Sequence, residues 1–117
     1  MTFEKNFSFE KRLSEATRIL KKYPQRVPVI VELNETTTPK FILDKCKYLV
    51  PNDLTVGNFL QVIRKRIKLQ AHEAIFLFFN NSLVSNNTLI SNVYEQHKSK
   101  DLFLYGTISQ ENTFGDF

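Results

Sequence analysis

Cysteine occurs once in this 117-residue chain, at Cys46, so no disulfide can form within it. A chain without internal disulfides fits a reducing compartment. Tryptophan is absent, and there are two histidines, His72 and His97. Glycine appears three times, at Gly57, Gly106 and Gly115, too far apart to build a phosphate-cradling loop. The longest apolar run, AIFLFF from Ala74 to Phe79, is far shorter than the roughly twenty residues of a membrane span. The opening MTFEKNFSFEKR is too polar for a signal peptide. No prenylation box closes the chain and no glycine stands at position 2 for myristoylation. The expectation is a soluble protein, attached to a membrane only through some other modification.

The same scarcity argues against catalysis. Cys46 has no neighbouring base to activate it. His72 and His97 lack companions at metal-ligand spacing, and the acids are dispersed. The reading is a non-enzyme with no metal. Sixteen Lys and Arg against twelve Asp and Glu give a net charge of +4, which favours acidic partners without choosing among them. The clusters Lys21-Lys22, Arg64-Lys65-Arg66-Lys68 and Lys98/Lys100 read as solvated faces. Aromatics are not interleaved with the Arg64–Lys68 cluster, so nucleic acid is not expected.

What is present suits one globular domain: 42% hydrophobic and 24% charged residues. Residues 2–7 suit one short helical turn. From Ser8, a plausible N-cap, Phe9, Leu13, Ala16 and Leu20 fall on one helical stripe that ends at Tyr23-Pro24. VPVIVEL, Val27 to Leu33, is a strand by alternation and β-branching. KCKYLVP, Lys45 to Pro51, is a second. Leu54 to Lys68 is the clearest helix, with Val56, Phe59, Leu60, Ile63 and Ile67 inward and a start capped by Asp53 or Thr55. Glu73 to Phe79 is a strand, Asn80-Asn81-Ser82 a turn and Leu83-Val84 a short return. A short helix spans Leu89 to His97, with Leu89, Ile90, Val93 and Tyr94 inward. Asp101 to Ser109 is the last strand.

This order describes an α+β ubiquitin-like β-grasp fold: a mixed four- to five-stranded sheet with helices, preceded by two N-terminal helices. The chain divides into an N-terminal helical extension (1–24), the β-grasp domain (25–109) and a tail (110–117). Two features stand out. Ile19, Pro28, Ile30 and Val62 lie off the expected core stripes, and Tyr48 and Leu49 make both faces of the second strand apolar. Either the N-terminal helices cover this surplus, or part of it forms apolar pockets beside an edge strand, where a peptide could add as a further strand. Lys45 and Lys47 would protect such an edge from aggregation. The second feature is Gly115, placed in a tail that needs no special backbone angles.

The stretches FEKR (9–12), KKYPQRVPVIVE (21–32), DKCKYLVP (44–51), DLTVGNFLQVIRKRI (53–67), AIFLFFNN (74–81) and ENTFG (111–115) closely resemble the autophagy-related protein 8 family of ubiquitin-like modifiers. That family includes the GABA-receptor-associated protein and microtubule-associated light chain branches. The likeness spans essentially the whole chain. KKYPQRVPVIVE is more similar to the GABA-receptor-associated branch, and ENTFG to the fungal and plant type. The chain departs from the pattern at Cys46, where a basic residue is usual, and at Ser8, where proline is common.

The resemblance implies a role for the tail. A processing cysteine protease would grip Thr113 and Phe114, cut after Gly115 and discard Asp116 and Phe117. Activating and conjugating enzymes would then carry the Gly115 carboxylate to an amide on phosphatidylethanolamine, a covalent lipid anchor rather than a cofactor. A residue that threads narrow active sites suits the absence of a Cβ. The resemblance also implies cargo receptors and adaptors carrying aromatic-x-x-aliphatic motifs, usually preceded by acids. Glu15, Ile19, Pro28, Ile30, Lys47, Leu49 and Phe103 would form the aromatic pocket. Tyr48, Val50, Pro51, Leu54, Phe59, Val62 and Ile63 would form the aliphatic one. Arg26, Lys45 and Arg66 would receive the acidic flank. The implied form is a cytoplasmic monomer before conjugation, then a protein on autophagosome, vacuole, lysosome or other organelle membranes, with microtubules as a further partner. The competing expectation is an adaptor in trafficking or on microtubules that is never lipidated.

Overall fold

The computed structural model describes residues 2–34, 43, 45–68 and 73–110. Residues 35–42, His72 and the tail from Glu111 onward, Gly115 included, lie outside the described residues.

A one-turn helix and a longer one come first. In α1 (Phe3–Asn6) the Thr2 side chain accepts from the Lys5 amide, and in α2 (Phe9–Lys22) the Ser8 side chain accepts from Lys11, the N-cap expected of it. Five strands follow: β1 (Arg26–Leu33), β2 (Lys47–Pro51), β3 (Phe76–Phe79), β4 (Ser82–Leu83) and β5 (Leu104–Ser109). Helix α3 (Val56–Ile67) separates β2 from β3, and α4 (Ile90–His97) separates β4 from β5. The strands lie in the order β2-β1-β5-β3-β4. Only β1 and β5 run parallel, which makes the sheet mixed.

Local chemistry sets several boundaries. Thr55 closes a capping box with Asn58, so α3 starts at Val56 and leaves Leu54 outside. Asn80 and Asn81 both hold positive φ, 52° and 60°, the requirement of the two-residue turn that joins β3 to β4. Lys45 and Cys46 precede β2, and Glu73–Ile75 precede β3. Asp101 and Leu102 form a turn ahead of β5, with Leu102 at φ 70°. These expected strands are therefore shorter than their apolar runs.

The sheet carries helices on both faces. Val27, Val29 and Val31 join Phe59, Ile63, Val93 and Tyr94 in the larger core, on the side of α3 and α4. Ile30 points the other way, into a smaller core with Phe3, Ala16, Ile19 and Phe103. The expected α2 stripe is thus rotated. Ala16 and Ile19 are buried, Phe9 is 41% exposed, and Leu13 and Leu20 are half-buried. Docking against β1 selects the face, which the helical period alone could not. Pro28 and Ile30 are core, because α1 and α2 cover them. Leu89 is another correction: it is exposed just before α4, since its backbone bridges to Thr55.

Candidate peptide-binding edge

Strand β2 borders the sheet, with β1 on one side and no strand on the other among the described residues. The Val31 amide donates to the Cys46 carbonyl at 2.7 Å, in the same register that opposes Val29 to Tyr48 and Val27 to Val50. Antiparallel ladders alternate hydrogen-bonded and non-bonded pairs. Lys47 and Leu49, opposite Ile30 and Pro28, therefore turn their amides and carbonyls outward. The absence of an N–H on Pro28 costs β2 nothing at that pair.

The side chains of β2 divide between its two faces. Leu49 packs against the smaller core. Tyr48 and Val50 lie in the larger core, and the Tyr48 ring meets Phe59 edge-on at 5.4 Å. The structure thus brings the expected aromatic set to the α2 side of the edge, and Tyr48, Val50, Leu54, Phe59 and Ile63 of the expected aliphatic set to the α3 side, with Pro51 at the end of the strand.

Within each set, burial separates floor from rim. On the α2 side, Ile30 and Phe103 are wholly buried, and Pro28 and Ile19 are buried with them. Glu15, Lys47 and Leu49 reach the surface, and the Lys47 ammonium pairs with the Glu15 carboxylate. On the α3 side, Tyr48, Val50, Phe59 and Ile63 are buried and Leu54 is half-exposed, as is Pro51 where β2 ends. Val62 is 47% exposed, the solvent-facing apolar residue its off-stripe position predicted.

The three expected cations are not neighbours. Lys45 lies just before β2, its ammonium 4.9 Å from the Tyr48 ring centroid. Arg26 opposes Pro51 at the other end, and its Nη1 donates to the Leu49 carbonyl at 3.0 Å. Arg66 stands one turn beyond Val62 on the exposed side of α3.

Two groups escaped the sequence reading. Phe3 sits edge-on to Phe103 at 5.1 Å, under the Lys47 ammonium, and its amide donates to Glu32 at 2.7 Å. Asp101 is wholly buried. It accepts from Arg12, from the Tyr105 hydroxyl and from the Phe103 amide, so it ties α2 to the turn that carries Phe103. A charged residue opening the apolar stretch DLFLY is the only sequence signal for it. A hollow of about 450 Å³ bordered by Phe3, Phe7, Leu33, Leu43 and Cys46 lies beyond the start of β2 and involves none of the expected anchors. Among the described residues, no helix is long and apolar enough to cross a membrane, and no group of three potential ligands could hold a metal ion.

Residues 11–115 match the family model described as autophagy protein Atg8 ubiquitin like. The chain is 54% identical to autophagy-related protein 8 of Kluyveromyces lactis, over 97% of this chain and 91% of that one. It is 58% identical to autophagy-related protein 8e of Arabidopsis thaliana, over 97% and 92%. The crystal structure of Trypanosoma brucei ATG8 superposes with a TM-score of 0.87 at 37% identity, covering 98% of each chain.

Proposed function

The chain belongs to the Atg8 family, the ubiquitin-like modifiers of autophagy, and we propose that it works there as a lipid-anchored receptor for short peptides. It is not an enzyme in this reading. Its Gly115 carboxylate is handed by the processing protease and the activating and conjugating enzymes to phosphatidylethanolamine. The cytoplasmic form then becomes a form on autophagosome membranes. Cargo receptors and adaptors are captured at β2.

One observation carries the peptide reading: β2 is an open edge with an apolar site on each of its two faces. Side chains of an added strand alternate between faces, so residues three apart point to opposite sides. An aromatic and an aliphatic residue in an aromatic-x-x-aliphatic motif therefore reach opposite faces, as the two expected sets require. The order of the sites also favours a direction. The aromatic set clusters about Lys47 and Leu49, and the aliphatic set extends through Pro51 to Leu54. A peptide whose aromatic anchor comes first then runs parallel to β2. Acids ahead of that anchor meet Lys45, and Arg26 meets the peptide where it leaves.

The test has two arms. Titration with an aromatic-x-x-aliphatic peptide should perturb the NMR amides of Lys47 and Leu49 before others; unperturbed β2 amides would refute the edge site. Mass spectrometry of the cellular protein should find chains ending at Gly115 and lipid-bearing chains. A sole form still ending in Phe117 would leave a non-lipidated adaptor.

A further inference from the structure

We propose that the hollow beyond the start of β2 is a third subsite of the peptide edge, and that it takes a basic side chain placed four residues ahead of the aromatic anchor. This rests on the edge-binding reading above.

The hollow measures about 450 Å³, and its wall is largely apolar, with Phe3, Phe7, Leu33 and Leu43. Glu32 is the only charged residue in the lining. Its Oε2 accepts from the Phe3 amide at 2.7 Å, and it makes no ion pair among the described residues. The two lysines of the edge are turned to other partners. Lys47, whose ammonium lies 5.6 Å from the Phe3 ring centroid, pairs with Glu15, and the Lys45 ammonium lies against the Tyr48 ring. Cys46 borders the hollow and also leads into β2: its carbonyl accepts from the Val31 amide, and Lys47 follows it as the first residue of the strand. The hollow is thus continuous with the edge.

The lining selects the occupant. An ionised carboxylate accepts at about four sites, so Glu32 can take a further donor without giving up the Phe3 amide. A peptide acid would be repelled there, and a plain apolar side chain would cover the Glu32 carboxylate without giving it a partner. Arginine or lysine matches both parts of the lining: an apolar stem on the wall, and a cationic head on Glu32 beside two aromatic rings. The strand period sets the position. Successive residues of an added strand alternate faces. Phe3 belongs to the smaller core, on the side that receives the aromatic anchor, so even positions ahead of that anchor turn toward it. Two ahead is level with Lys45 and Lys47, and four ahead passes the start of β2 and reaches the hollow. Odd positions turn to the other face, where the Lys45 ammonium receives acids. The edge therefore reads a charge pattern, acids close to the anchor and a base behind them.

The experiment uses three peptides that differ only at the position four ahead of the aromatic anchor, which carries Arg, Met or Glu. Calorimetry should show the native protein binding the Arg peptide about fivefold more tightly than the Met peptide and about tenfold more tightly than the Glu peptide. Glu32→Gln keeps an acceptor for the Phe3 amide. It should bring the Arg and Met peptides to within about twofold of each other and leave the Met peptide at its native affinity. Moving the Arg to three ahead should lose the gain in the native protein. Equal affinity of the native protein for the Arg and Met peptides, or an Arg preference that survives Glu32→Gln, would overturn the proposal. Leu49→Asp separates the two readings. Unchanged binding of all three peptides by that variant would overturn the edge site itself; weakened binding of all three keeps the edge, and a missing Arg preference then counts against the hollow alone.

Discussion

Arg12 Nη1 lies 2.6 Å from Oδ2 of Asp101, joining helix α2 to the turn before β5 across 89 positions of sequence. The Asp101 side chain has no solvent exposure, and its second oxygen accepts from the Phe103 amide at 2.9 Å. Removing the carboxylate strands a buried amide and a cation together. Asp101→Ala should therefore destabilise the fold by about 2–4 kcal/mol, measured by urea denaturation. Asp101→Asn, which keeps acceptor and donor capacity, should cost less. A loss below about 0.5 kcal/mol for the alanine variant would show that this tie contributes little.

Alkaline titration reports on the same region. Burial first, then the charges of Glu95 and Asp101, raise the Tyr94 phenol to about 12. Burial and the hydrogen bond to Asp101 push Tyr105 up as well. The unfolded chain releases these protons near pH 10. The folded state therefore holds them more tightly, and the resulting stability is whole below about pH 10 and lost as pH rises through about 12. Denaturation midpoints should fall across that window. Tyr94→Phe should flatten the fall, and an unaltered slope in that variant would contradict the assignment.

Gly106 occupies a crowded place in the sheet rather than a turn. A Cβ there would meet Leu77 Cδ1 at 3.0 Å and Phe79 Cε1 at 3.2 Å, both on buried side chains. Gly106→Ala should cost about 1–3 kcal/mol, read as a lowered melting temperature, because packed side chains must shift. A neutral substitution would mean that β3 yields easily.

For peptide binding, Leu49 and Val62 separate affinity from stability better than Tyr48 does. Tyr48 is 5% exposed and belongs to the larger core, so Tyr48→Ala confounds lost binding with lost packing. Leu49→Ala should weaken an aromatic-x-x-aliphatic peptide by about tenfold through the α2-side site. Val62→Ala should weaken it less and leave the melting temperature within about 1 °C of the native value, since exposed sites contribute little to stability. Full affinity in both variants would place the ligand elsewhere.

Gly115→Ala addresses the tail, which lies outside the described residues. Conjugation to phosphatidylethanolamine should be lost on gel mobility, while peptide affinity at β2 stays as in the native protein. A normally lipidated alanine variant would contradict the role given to this glycine.

Much of the fold was legible because it is written locally. The stripe of α3 and the Ser8 and Thr55 caps follow from spacing and side-chain chemistry within a few residues. The Asn80-Asn81 turn needs only residues that tolerate positive φ. Strand ends were less legible, since an apolar run continues past the last ladder hydrogen bond, as Glu73–Ile75 and Asp101–Phe103 show. The α2 face was misread because four apolar residues in a helix define more than one stripe, and only packing on Ile30 selects the one through Ile19.

The candidate site divides in the same way. Sequence by itself determined its ingredients: apolar residues beyond the needs of one core, lysines flanking a short strand, and a glycine that folding does not require. It also determined the family, since stretches such as KYLVP and DLTVG survive as contiguous text. Tertiary structure decided which ingredients are floor and which are surface, because burial depends on what packs from distant segments. It made Ile30 and Phe103 core and left Leu49 and Val62 accessible. It also placed Arg26 on the Leu49 carbonyl, a contact set by strand register between residues 23 positions apart, for which no local pattern exists.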